Sequence, residues 1–105
     1  MAEIEVLEPG STVSARSGDE LVVRLPEIAT TGYQWTVDQI TGPLRIVSSE
    51  LVPTVPPDGA PPGSGGERFI RVATTGPGTG AVRLELRRVW ETEPTDRFEF
   101  RVQVG

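Results

Sequence analysis

An all-β sandwich of about seven to eight short strands is the fold class that this sequence predicts, and three observations predict it. Apolar and polar residues alternate in several short runs, most clearly at Val82, Leu84 and Leu86 and again at Phe98, Phe100, Val102 and Val104. Glycine and proline, 12 and 10 of the 105 residues, gather between those runs without a repeat period and so punctuate turns. No segment carries a convincing helical period. At this length residues 1–105 are expected to form one domain.

Each element follows from its own pattern. Glu3-Ile4-Glu5-Val6-Leu7 alternates charge with apolar side chain, which suits a short edge strand with one buried face. Pro9 to Asp19 is rich in glycine and serine and reads as a turn. Glu20 to Leu25 sets Leu21, Val23 and Leu25 on one face and Val22 and Arg24 on the other; Pro26 ends the strand because it has no N–H for a ladder. After a polar turn, Tyr33, Trp35 and Val37 alternate with Gln34, Thr36 and Asp38, so three large side chains point one way and Trp35 is expected at the centre of the core. Leu44 to Leu51 is less regular and is expected to be a short strand crossing towards the other sheet.

Pro53 to Gly66 carries five prolines and four glycines with almost nothing to bury, the composition of a functional or mobile loop. Glu67 to Ala73 resumes as a strand, with Arg68, Ile70 and Val72 on one face and Phe69, Arg71 and Ala73 on the other. Thr74 to Gly80 turns the chain. The run Val82, Leu84 and Leu86 is a strand with one wet face. It leads through Arg88-Val89-Trp90 and an acidic turn to the closing strand, Phe98 to Val104. Short strands at this spacing are the signature of an immunoglobulin-like β-sandwich, here with no disulfide.

Composition removes many functions. The sequence has no Cys, His, Asn or Lys. Thiolate metal sites, the common zinc ligand sets and Cys-His or Ser-His catalytic pairs therefore cannot be assembled. The chain is not expected to be an enzyme, and no cofactor or metal is expected. Glu91, Glu93 and Asp96 lie on a polar turn with Pro94, lack a calcium-loop pattern and read as a solvated acidic turn. The glycine-rich run Gly76 to Gly80 precedes a strand and has no Lys, so it is not a phosphate loop.

Ten Arg stand against fifteen Asp plus Glu, a formal net charge of −5, which argues against nucleic acid and against an anionic membrane surface as partners. No stretch approaches the roughly 20 apolar residues that span a bilayer, and Met1 to Glu5 lacks the features of a signal peptide. As written, the chain is expected in the cytoplasm, or in the periplasm or outside the cell if a signal has been removed. It is expected to act as a monomer.

Three segments carry a resemblance: Thr30-Thr31-Gly32-Tyr33-Gln34-Trp35, the Gly63-Ser64-Gly65-Gly66 loop and Arg88-Val89-Trp90. In order and rough spacing this set resembles the chagasin family, over about Glu3 to Val104. The family's segments read Asn-Pro-Thr-Thr-Gly-Tyr/Phe, a Gly-x-Gly-Gly type loop and Arg-Pro-Trp/Phe. Each is weak alone, but the ordered set on a β-only sequence is fairly specific.

The resemblance implies a reversible inhibitor of papain-like cysteine proteases that occludes the active-site cleft with three loops. By position, Thr30 and Thr31 would bring hydroxyls near the protease's catalytic Cys and His, and Gly32 would let the backbone approach closely. Trp90 would lay an apolar plate with an N–H against the cleft rim, and Arg88 would hold a fixed charge beside it. Gly63, Ser64, Gly65 and Gly66 would contact the protease through their backbone. Ile28-Ala29 replaces the family's Asn-Pro and Val89 its Pro; the Asn at position 28 would have braced the first loop. A non-inhibitory immunoglobulin-like binding or structural module is the alternative.

Overall fold

Alternation along the chain becomes two facing sheets. The structure, a computed structural model, describes residues 2–28, 31–53 and 65–105. It contains eight strands: β1 (Glu3–Val6), β2 (Thr12–Ala15), β3 (Glu20–Pro26), β4 (Gln34–Thr41), β5 (Leu44–Pro53), β6 (Gly66–Thr74), β7 (Gly78–Arg87) and β8 (Asp96–Val104). One sheet has the order β1-β3-β6-β5 and the other β2-β8-β7-β4. β1 runs parallel to β3 and β2 parallel to β8, while the other pairs are antiparallel.

The inner faces follow the period of two. From one sheet come Val6, Leu21, Val23, Leu25, Leu44, Ile70 and Val72; from the other come Ala15, Trp35, Val82, Leu84, Phe98, Phe100, Val102 and Val104. Phe98 and Phe100 meet edge-on, with ring centroids 6.1 Å apart, which suits the aromatic quadrupole better than a face-to-face stack. Val22 points to the outer face and is nonetheless buried. Its neighbours across the sheet are Glu5 and Arg71, long side chains whose stems flank it while their charges stay in ion pairs.

Three expectations change. Pro9 to Asp19 is more than a turn, because β2 lies inside it and buries Ala15 against β8. Four residues of small and β-branched type give too short a pattern to read, and the partner strand is at the other end of the chain. Leu44 to Leu51 does cross to the other sheet, but as part of the ten-residue β5. Its register shifts between Ile46 and Ser48, so Val47 is an extra residue that breaks the alternation. Tyr33 precedes β4 and is absent from the core cluster, whereas Trp35 is in it.

At the end of the molecule where β3 begins, Asp19 closes the connection from β2. Its carboxylate accepts the N–H groups of Arg16 and Ala2, both at 2.9 Å. These hydrogen bonds, Arg16's foremost, hold the carboxyl below its usual range. Gly105 lies at the same end, its N–H donating to the Ala15 carbonyl at 2.9 Å.

Candidate functional site

The strand registers gather the ends of β3, β5 and β7 and the starts of β4 and β6 at the opposite end. Pro26, last in β3, pairs with Glu67; Pro53, last in β5, pairs with Gly66; Gln34, first in β4, pairs with Arg87, last in β7. Glu27 and Ile28, Thr31 to Tyr33, the strand ends at Pro53 and Gly66, and residues 88–95 therefore lie at one end of the sandwich. Of the residues expected here, Thr30, Gly63 and Ser64 lie outside the described residues, as does most of the proline-rich segment.

The first turn closes on itself. Both the N–H and the hydroxyl of Thr31 donate to the Ile28 carbonyl, at 3.1 and 2.7 Å, and Thr31 Oγ1 accepts the Tyr33 N–H at 3.3 Å. This is the local side-chain-to-backbone bonding that lets threonine replace a backbone turn contact. The Ile28 carbonyl is a main-chain acceptor that any residue at this position would offer, so this turn closes without a side-chain brace from position 28. Gly32 follows with φ +80°, a left-handed conformation that glycine adopts without steric cost. A Cβ there would lie 3.5 Å from Trp90 Cη2 and 3.8 Å from Arg88 Cγ, ordinary contact distances. Backbone conformation, not lack of room, is what calls for glycine.

The second turn presents apolar surface. The Glu91 N–H donates to the Arg88 carbonyl at 3.0 Å, Arg87 Nη1 donates to the Glu91 carbonyl at 3.0 Å, and the Thr95 N–H closes the base on the Leu86 carbonyl at 2.8 Å. Val89 and Trp90 stand out at the bend, 83% and 74% exposed. Ile28 is exposed on the first turn. Large apolar side chains held in water at a fixed bend are what a docking surface requires.

Arg88 joins the two turns. Its Nε donates to the Thr31 carbonyl at 3.0 Å, and its guanidinium carbon lies 4.3 Å from the Tyr33 ring centroid and 5.7 Å from that of Trp90. A planar cation over an aromatic face gains from the ring quadrupole, so the same group is held both by its hydrogen bond and by its faces. Glu91 Oε1 is 4.0 Å from Arg88 Nε, close enough to attract but not to hydrogen-bond. The charge expected beside Trp90 is thus largely committed inside the protein.

At the third position the glycines differ. A Cβ on exposed Gly65 would meet nothing within 4 Å among the described residues, whereas one on Gly66 would lie 2.8 Å from the Val52 carbonyl oxygen. Gly66 is a strand residue packed against β5, and Gly65 is open surface.

Beneath the turns lie groups that were not anticipated. Glu27, just past β3, is buried and paired with the buried Arg68 of β6, while the Trp35 indole N–H donates to the Pro26 carbonyl at 3.0 Å. The pattern did carry one signal. Arg68 has the parity of Ile70 and Val72, and an inward arginine needs a carboxylate partner.

These features define an immunoglobulin-like sandwich with two fastened, apolar-tipped turns at one end, and comparison with known proteins places the chain in a family. The model of the chagasin family peptidase inhibitors, I42, matches residues 14–104. The chain belongs to that family. It is 33% identical over 97 residues to Amoebiasin-1 of Entamoeba histolytica, covering 90% of each protein. It is 31% identical over 98 residues to chagasin of Trypanosoma cruzi, covering 89% of this chain and 86% of that one. Among solved structures, the crystal structure of a cysteine protease inhibitor from Entamoeba histolytica superposes with a TM-score of 0.87 at 22% identity, over 100% of this chain and 97% of the other, a likeness of fold.

Proposed function

We propose that the protein is a reversible, competitive inhibitor of papain-like cysteine proteases, which blocks the active-site cleft with the end of the sandwich that carries Thr31-Gly32 and Arg88-Trp90. The observation that carries this reading is the Arg88 tie. Two turns that would otherwise be separate are fastened to each other, with Trp90 held out in water beside a glycine backbone. Such an assembly loses little freedom on docking, which is where rigid wedges gain affinity. Family membership supports the inhibitory role, and the names of the relatives support cysteine proteases as its targets.

In this reading Thr30, Thr31 and Gly32 enter the cleft, Trp90 covers its rim, and Gly63, Ser64 and Gly65 touch the far side through their backbone. Gly66 supports that third turn from within the sheet. The hydroxyl and N–H of Thr31 are spent on Ile28 and its carbonyl on Arg88, so in this reading the shape of the turn, more than a free polar group of Thr31, meets the catalytic groups. Nothing in the inhibitor reacts, and it turns over no substrate of its own.

Titration of the purified protein against a panel of papain-like proteases, with a fluorogenic peptide substrate, tests the proposal. Competitive loss of activity that recovers on dilution is expected. No inhibition at high micromolar concentration across the panel would overturn it and favour a non-inhibitory binding module.

A further inference from the structure

We infer that the buried Glu27–Arg68 pair is a positioning device for the inhibitory turns, distinct from what it contributes to stability; the inference rests on the inhibitory reading above. Arg68 Nε donates to Glu27 Oε1 at 3.2 Å and Nη2 to Oε2 at 2.6 Å, with the two side chains only 9% and 2% exposed. The same Oε1 accepts the Trp35 N–H at 2.7 Å. The N–H of Glu27 itself donates to the Gly66 carbonyl at 3.0 Å, and Arg68 Nη1 donates to Ser49 Oγ on β5 at 3.3 Å.

One carboxylate therefore fixes both ends of the first turn. Glu27 begins it and Trp35 lies just beyond its far end, so the hydrogen bond between them closes the base across which Thr31 and Gly32 project. The same residue is bonded to Gly66, the first residue of β6. Through Arg68 the arrangement reaches β5 at Ser49. An apolar pair of the same volume would fill the space but has no acceptor for the Trp35 N–H and no direction.

Energetics separate the two roles. Taking two charges out of water offsets most of their attraction, so replacing both by well-packed apolar groups is often neutral for stability, while deleting one strands a buried charge. Register and orientation are what such a pair supplies that packing does not. Removing the pair together should therefore leave a folded sandwich whose wedge is loose.

The test compares Glu27→Leu/Arg68→Met and Glu27→Gln with the parent protein by thermal unfolding, by inhibition of papain, and by amide hydrogen exchange in the free protein. The double variant is expected to stay folded, with a melting temperature lowered by the one Trp35 N–H left without an acceptor, to inhibit about tenfold or more weakly, and to exchange the amides of residues 27, 31 and 35 faster while those of Val82 and Phe100 are unchanged. A folded double variant that inhibits like the parent overturns the inference. If it does not fold, Glu27→Gln decides: it keeps an acceptor for Trp35 but no charge for Arg68. Because Glu27→Gln strands the Arg68 charge, weaker inhibition with faster exchange confined to the turn supports positioning, and parent-like values in both, or exchange that rises equally at Val82 and Phe100, overturn it. Failure of the parent to inhibit papain-like proteases would sink the functional reading, whereas the exchange pattern would still decide the positioning role.

Discussion

Arg88 reaches across from the turn after β7 to hydrogen-bond the main-chain carbonyl of Thr31, and its guanidinium lies over the Tyr33 ring as it does so. A side chain that resembles a surface charge is a fastening between two turns. Arg88→Lys keeps the charge but loses Nε–H and the flat face that stacks. We expect inhibition to weaken about tenfold, with only a small loss of thermal stability, because one hydrogen bond and the guanidinium contacts with the Tyr33 and Trp90 rings are altered at the surface. Inhibition constants and melting curves of the two proteins provide the check. Unaltered inhibition by the lysine variant would reduce Arg88 to a simple charge.

Trp90 should separate binding from folding. Its side chain is mostly in water, so Trp90→Ala is expected to change stability by no more than about 0.5 kcal/mol. As an aromatic anchor at a protease rim it should cost about 2 kcal/mol or more of binding, roughly a thirtyfold weaker inhibitor. Denaturant unfolding and inhibition titration of the same preparation read both numbers. A large loss of stability would show that Trp90 belongs to the fold instead.

Gly32→Ala tests the left-handed turn. Space is available for the methyl group, so the cost comes from the backbone, about 1–2 kcal/mol for a non-glycine residue at this φ. The turn is expected to relieve that strain by shifting against Trp90, and inhibition should weaken severalfold or more. Chemical-shift mapping should confine the change to the turns and leave β7 and β8 as they are.

Stability towards acid should depend on Asp19, at the other end. Its carboxyl is held below the usual range by the N–H groups of Arg16 and Ala2. The unfolded chain therefore binds this proton more readily than the folded one. The contribution is fully present above the ordinary carboxylate range and is lost as pH falls through the lower folded value. Asp19→Asn should lower the urea midpoint at pH 7, and the gap between the two proteins should narrow as pH falls below about 4. Inhibition should be untouched. A constant gap from pH 7 to pH 2 would contradict the assignment.

How much of this could be read in the chain depends on the range of each interaction. Strands β3, β6, β7 and β8 announced themselves because alternating burial is a local pattern, visible in Leu21, Val23 and Leu25 without knowledge of the partner. β2 did not, because Thr12 to Ala15 becomes a strand only through pairing with residues about ninety positions away. Val47 hid the length of β5 by interrupting its parity. The positions of Thr31, Gly32, Arg88 and Trp90 were legible from motif order, but their relations were not. That Arg88 fastens Thr31, that Tyr33 serves as its platform instead of joining the core, and that Glu27 meets Arg68 are all contacts between distant segments, which composition and spacing do not encode.

The end at which Asp19 binds the Ala2 N–H and Gly105 binds Ala15 is the far pole from the turns. Polypeptide joined ahead of Ala2 or after Gly105 therefore starts from the end remote from Thr31 and Trp90. A tag, a surface tether or a second copy linked in series can be attached at residue 1 or 105 while Trp90 and the turns beside it stay open to a target. The domain is in that sense already laid out for immobilisation or tandem display.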